Sequence, residues 1–397
     1  MRTHHYRTHT TLLACLTVLV AGLAPMVSSG NAATAAPPSR PITWLAAGDS
    51  YSAGEGLIAD KGEELCNRAQ NESFKDKNVV PNGVGDPSKY KYPKAWAPAA
   101  LDLLSSDNPR FAVADFRFNA CSGATRNEFF SPQEDGSGQP MRDGRPQQWD
   151  KATRYDLVTF SLGGNDIGFA DTLIKCLGVD HFAANYAFHL PWRKRAGCDP
   201  KDFARVDELL TGNPAISDTE NEEHYPYEHF LRRVARETVN PGGAIIVVGY
   251  PNLVPDPGRW EVPNICQGIR SEDVVLLRAA AKRLNDAIAG AVADLNTHKE
   301  ELNVTFEFVD LASAYKDHET CLPDSWVHGM TLSPRKEASF HPNADGYANT
   351  AQLVADRIRQ IDWSNLTQAN TETQAEPNDL SSLLGQDPAT VRFSHQE

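Results

Sequence analysis

Positive charge is what this chain has least of: 38 Lys and Arg face 52 Asp and Glu, for a formal net charge of −14 at pH 7. An acidic surface repels phosphate backbones, so no nucleic acid partner is expected, nor strong electrostatic adhesion to anionic membranes. Lipid substrates stay open, since apolar patches can engage an interface without charge. Long apolar runs are also missing, apart from Leu12–Leu23, which Arg2 and Arg7 precede. That run is too short to span a bilayer, and Ala33-Thr34-Ala35 follows it as a cleavage pattern. Residues 1–35 therefore read as a signal peptide, and the product as secreted, extracellular and without a stable membrane anchor. Cys15 sits at the start of the apolar run, which argues against lipidation there.

The exported chain contains no C-x-x-C and no H-x-x-x-H spacing, so no metal is expected. It also lacks G-x-G-x-x-G and phosphate-loop patterns, and no organic cofactor is expected. What it does contain is an even set of cysteines, Cys66, Cys121, Cys176, Cys198, Cys266 and Cys321. In an oxidising compartment these read as three disulfides. The pairing is not fixed by sequence; joining neighbours in order, as Cys66–Cys121, Cys176–Cys198 and Cys266–Cys321, is the simplest arrangement and closes three separate loops.

Short apolar runs alternate with helical patterns, the signature of a parallel sheet covered by helices on both faces. Strands are expected at Thr43–Ala47, Phe111–Phe118, Leu157–Leu162, Ala244–Gly249 and Val304–Val309, and helices at Pro93–Ser105, Ser271–Leu295 and Asp345–Ile361. The clearest helix carries Val274, Leu277, Ala281, Leu284, Ile288 and Val292 three or four residues apart, the spacing of one buried face. Two stretches break the rhythm, near 124–151 and 176–240, and read as insertions. Loops at the carboxyl ends of parallel strands usually build the site, so these are candidate pocket walls, with Trp149, Trp192 and Trp260 as candidate lining residues. The organisation is then a leader over 1–35, one domain over 36–362 and a polar tail over 363–397, expected to be disordered. A monomer is expected.

The first strand runs into Gly48-Asp49-Ser50-Tyr51-Ser52, which puts Ser50 at the carboxyl edge of the sheet. A rigid strand followed by a turn holds a nucleophile against the crevice with main-chain amides close by. The tripeptide alone is weak, because Asp and Ser also cap helices and form turns. Three further blocks supply complementary parts. Asn119-Ala120-Cys121-Ser122-Gly123-Ala124 offers an unhindered N–H at Gly123, and Gly163-Gly164-Asn165-Asp166 offers an amide donor at Asn165. Phe340-His341-Pro342-Asn343 places an imidazole at the entry to the last helix. His328 is the rival base but lacks a following helix pattern; His318 reads as structural, Ser52 and Asp49 as turn residues, and Asp166 as a buttress for the loop of Asn165.

In that order, the blocks carrying Ser50, Gly123, Asn165 and His341 resemble the four signature blocks of the SGNH (GDSL) hydrolase superfamily. His318-Glu319-Thr320-Cys321, Trp326 and the six cysteines are similar to secreted actinobacterial lipases and esterases. The resemblance spans Thr43 to Ile361 and implies a three-layer α/β/α sandwich with a flavodoxin-like five-stranded parallel sheet. It implies a secreted serine ester hydrolase, lipase- or phospholipase-like, acting on an acyl ester through an acyl-enzyme. Ser50 would be nucleophile, His341 general base, and Ser50 N, Gly123 N and the Asn165 side chain the oxyanion hole. A carbohydrate O-acetyl esterase would use the same residues, and a non-catalytic lipid- or carbohydrate-binding protein is the reading from another class. The family commonly has Asp three residues before the histidine; here that position is Ala338. The main-chain carbonyl of Ala338 or Ser339 is therefore the first candidate to orient His341, with Asp310 and Glu337 as carboxylate alternatives.

Overall fold

The computed structural model describes residues 35–57, 66, 94–106, 111–134, 141, 145–169, 172–173, 176, 198–212, 225–259, 271–329 and 338–366. Five strands, β1 (Ile42–Ala46), β2 (Val113–Phe118), β3 (Tyr155–Phe160), β4 (Val239–Val248) and β5 (Thr305–Val309), form one all-parallel sheet in the order β2-β1-β3-β4-β5. This is the flavodoxin-like order, with its topological switch between β1 and β3. The main helices are α1 (Ser50–Ala53), α2 (Trp96–Ser106), α3 (Tyr227–Thr238), α4 (Ser271–Thr297) and α5 (Ala344–Gln360). They pack as two pairs, α2 with α5 and α3 with α4, giving an α/β/α sandwich. Among the described residues no helix is long and apolar enough to cross a membrane.

A sheet covered on both faces needs strands that are apolar throughout, and every residue of β3 is buried. Asp156 is the one charged residue in that strand, and its surroundings account for it. Arg40 donates two hydrogen bonds to its carboxylate at 2.7 and 2.8 Å, with Thr43 N at 2.9 Å, Thr43 Oγ1 at 3.2 Å and Asn240 Nδ2 at 2.8 Å completing the set. Burial alone would raise this carboxyl; the hydrogen bonds outweigh it and hold the group below the usual carboxylate range.

Three boundaries differ from the sequence reading. The stretch assigned to an insertion near 176–240 ends in α3, whose Tyr227, Phe230, Leu231, Val234, Ala235 and Thr238 are buried. Those residues recur at helical spacing, and each large apolar side chain among them contributes roughly 1.5–3 kcal/mol by leaving water. β4 starts at Val239 rather than Ala244, because Pro241-Gly242-Gly243 is carried within it where the register with β3 shifts between Tyr155 and Leu157. Gly242 has φ 80° there, and a Cβ would meet Asn365 O at 2.0 Å. The tail does not begin at 363: Trp363–Asn365 form a 3-10 turn, Trp363 and Leu366 are buried, and Trp363 N donates to Ala36 O. Residues 1–34 and 367–397 lie outside the described residues.

The segment near 124–151 is also no simple pocket wall. Phe129, Phe130 and Trp149 are buried in the core, where Phe129 and Phe130 pack edge-on against Phe230 and Trp149 packs edge-on against Phe130. Trp149 is thus a packing residue; Trp192 and Trp260 lie outside the described residues. Cys66 is bonded to Cys121 and Cys176 to Cys198. Cys321 is also disulfide-bonded; Cys266 lies outside the described residues.

Candidate active site

Ser50 opens the short helix α1 directly after β1, and Asp49 caps that helix by accepting from Tyr51 N at 3.0 Å. Gly48 makes the turn possible. Its φ is 125°, and a Cβ would stand 2.2 Å from Ser52 Oγ and 2.9 Å from Ser161 O, so only glycine fits. Gln148 grips the same residue from outside, accepting from Gly48 N at 2.7 Å and donating to Gly48 O at 2.8 Å. Ser52 Oγ and Ser161 Oγ are 2.8 Å apart, which links this turn to the end of β3.

Asp49 is the polar centre of the arrangement. Besides Tyr51 N, its carboxylate accepts from Ser161 Oγ at 2.7 Å and Tyr250 Oη at 2.5 Å. Burial pushes its carboxyl up to about 6 even though all three hydrogen bonds pull the other way. Tyr250 lies just past β4 and is fixed by α4: Asn285 accepts from Tyr250 N at 2.9 Å and donates to Tyr250 O at 2.8 Å. The phenol oxygen in turn accepts from Gly164 N at 3.0 Å. Block one is thereby coupled to block three through a buried Asp-Tyr-amide chain.

The two other donor blocks stand where the strands end. Gly123 follows β2 with φ 79° and is exposed. Its turn is braced by Gln133 Nε2 and Arg145 Nη1, both donating to Ser122 O, and by the disulfide at Cys121. Asn165 follows β3, and its amide nitrogen donates to Ala124 O at 2.9 Å. An amide nitrogen carries two protons, so this bond aims the group and leaves one proton to give. Asp166 pairs with Arg126 at 2.5 Å, with side chains only 2% and 1% exposed. Arg126 Nη1 also donates to Tyr225 O. This buried pair ties the Gly123 block to the Asn165 block.

His341 completes the constellation. Its Nε2 lies 2.8 Å from Ser50 Oγ and its Nδ1 3.1 Å from Ser339 O. A carbonyl can only accept, so Nδ1 carries the proton and Nε2 presents a lone pair to the serine hydroxyl. The turn is held by main chain. His328 N donates to His341 O and Phe340 N to His328 O, while Phe340 takes the left-handed φ of 62°. Tyr51 Oη donates to Phe340 O at 2.7 Å, so the residue beside Ser50 also fixes the residue beside His341.

The remaining candidates lie elsewhere in function. Ala338 O accepts from His341 N, not from the imidazole. Asp310 is exposed and caps the turn Leu311–Ala314, accepting from Ser313 N and Ser313 Oγ. Glu337 lies outside the described residues. His328 Nε2 bonds Gly56 O, and His318 stacks on Trp326 with ring centroids 3.8 Å apart. Sequence reading missed Gln148, Arg126 and Tyr250. The rule that places sites at the carboxyl ends of strands was enough to find Tyr250; no spacing pattern connects Gln148 or Arg126 to the blocks they hold. Among the described residues no His, Cys, Asp and Glu cluster has the makings of a metal site.

Residues 46–348 match the GDSL-like Lipase/Acylhydrolase family, and the chain belongs to it as a carboxylic ester hydrolase of the SGNH type. A lipase of Streptomyces rimosus is 26% identical over 319 residues, covering 80% of this chain and 86% of that protein. An esterase of Streptomyces scabiei is 26% identical over 374 residues, covering 88% and 94%. Phospholipase A1 from Streptomyces albidoflavus NA297, a crystal structure, aligns with a TM-score of 0.48 at 22% identity over 81% of this chain and all of its own.

Proposed function

We propose that this chain is a secreted, monomeric, lipase-like esterase in which Ser50 and His341 act as a dyad. The observation that carries the reading is the single line from Ser339 O through the imidazole to Ser50 Oγ, at 3.1 and 2.8 Å. His341 Nε2 takes the hydroxyl proton as Ser50 Oγ bonds to the ester carbonyl carbon. The carbonyl oxygen becomes an oxyanion facing Ser50 N, Gly123 N and Asn165 Nδ2. Collapse breaks the bond to the leaving alkoxide, which takes the proton from the imidazolium, and water then releases the acid by the same two steps. The Ser339 carbonyl holds the tautomer and takes the place of the carboxylate that Ala338 does not supply.

The lipase-like subtype rests on the relatives, one named a lipase and one an esterase. A series of p-nitrophenyl esters from acetyl to palmitoyl, run beside Ser50→Ala, tests both levels. Medium and long chains are expected to be cleaved fastest, with turnover reduced by about 10⁴ or more in Ser50→Ala. A sharp preference for acetyl would transfer the reading to a carbohydrate O-acetyl esterase. Failure of a serine-reactive phosphonate to label Ser50 would leave the SGNH body as a binding protein.

A further inference from the structure

The Ser339 carbonyl fixes the imidazole but brings no formal charge to it, and His341 must become a cation midway through the reaction. Glu55 Oε2 lies 4.0 Å from His341 Nε2, the nitrogen that receives the proton, and the Glu55 side chain is only 8% exposed. Glu55 follows α1 by two residues, so the segment that carries Ser50 also carries this carboxylate. Its main chain is fixed on both sides: Glu55 N donates to Ser50 O at 3.2 Å and Glu55 O accepts from Tyr347 Oη at 2.9 Å.

We propose that Glu55 is the electrostatic partner of His341, stabilising the imidazolium from the Nε2 side and so taking over the charge role of the missing Asp. The proposal rests on the Ser50–His341 dyad. Opposite charge within about 4–6 Å favours the ionised form, and burial weakens the screening between the two groups. Charge on the Nε2 side serves the reaction, since the cation exists only while the oxyanion exists. Among the described residues, the other groups facing the imidazole do not supply negative charge in its place. Tyr51 from α1 lies with its ring 5.0 Å away, and burial, foremost, keeps its phenol protonated. Tyr347 from α5 is buried and likewise raised. His328 on the paired segment points its Nε2 at Gly56 O. Asp49 is turned away into its own hydrogen bonds with Tyr51 N, Ser161 and Tyr250.

Glu55→Gln keeps size and removes charge. The pH profile of kcat/KM should show its acid limb moved down by about one unit, because the imidazolium loses its partner, with the plateau lowered about 10- to 100-fold. A residue that merely holds the fold would lower the plateau and leave the limb in place, and that result overturns the proposal. Thermal melting identifies a variant that has not folded. In that event Glu55→Asp carries the test: its withdrawn carboxylate should move the limb down by about half a unit, and an unmoved limb overturns the proposal. Ser50→Ala runs alongside; an inactive Ser50→Ala with an unmoved limb in the Glu55 variant sinks Glu55 alone, whereas an active Ser50→Ala sinks the dyad and Glu55 with it.

Discussion

The turn that carries Ser50 is braced by several polar side chains, and the turn that carries His341 mostly by main chain, with Tyr51 Oη also reaching it. Around Ser50, Asp49 collects three hydrogen bonds, Gln148 grips Gly48 at both its N–H and its carbonyl, and the buried Arg126–Asp166 pair ties the Gly123 block to the Asn165 block. Around His341, amide-to-carbonyl bonds join His328 with His341 and Phe340, the imidazole itself meets Ser339 O, and Tyr51 Oη donates to Phe340 O. Side-chain bracing suits the half that must meet a charge developing on substrate, since fixed donors need no reorganisation at the moment of reaction. Main-chain bracing suits the half that must hold one ring in one tautomer, a task for a neutral acceptor. The difference makes the first half sensitive to single substitutions and the second tolerant of them.

The largest expected effect in the nucleophile half, short of removing Ser50, belongs to Asn165→Ala. Losing one oxyanion donor costs roughly 10²–10³ in turnover. KM and the melting temperature should move little, because Asn165 is partly exposed and the one described hydrogen bond of its side chain is to Ala124 O. Single-turnover kinetics with a long-chain ester read this directly, and a loss under tenfold would show that Asn165 does not face the oxyanion.

The next effect is on stability, at Asp49. Burial foremost raises its carboxyl from 3.8 to about 6. Between those values the folded chain holds its proton while the unfolded chain releases it, so stability falls as pH rises from about 4 to about 6 and stays lower above that. The span amounts to about 3 kcal/mol. Asp49→Asn does not titrate, so the stability of the variant relative to the wild type should improve by about that amount between pH 4 and pH 7, whatever fixed offset the amide introduces. Urea melts of both proteins across this range provide the check; parallel pH dependences would place the charge of Asp49 in a better solvated setting than its burial implies.

The same contrast explains what could be read from sequence. The strands, α4, α5 and the four blocks were legible because each depends on local pattern: apolar runs, helical spacing, glycine at a turn. The order of the sheet came with the family resemblance. The helix α3 was legible in principle, since Tyr227, Phe230, Leu231 and Val234 repeat at helical spacing, but the charged residues between them and the aromatic-rich stretch before them masked the pattern. Gln148 and Arg126 were not legible. They act at sequence separations of 100 and 40 residues on Gly48 and Asp166, through a segment whose Gly, Pro and charge mimic a surface loop. On the base side, Ala338 announced that a carboxylate was missing, yet a carbonyl has no sequence signature, so the choice between Ala338 and Ser339 required coordinates.

The smallest expected effect tests the base half. Asp310 follows β5 at the sheet edge, where an acid of a catalytic triad could stand, and the sequence marks it as a candidate orienter. In the fold it is exposed and its carboxylate is engaged by Ser313, at 3.1 Å from the amide and 2.5 Å from the hydroxyl, as the cap of the Leu311–Ala314 turn. Asp310→Ala should therefore cost about 1 kcal/mol of stability through the lost cap and leave kcat within about twofold of wild type. Steady-state kinetics and a urea melt on the same preparation separate the two quantities. A loss of turnover approaching that of Ser50→Ala would mean that the base half relies on a carboxylate after all, and that the main-chain account of His341 is wrong.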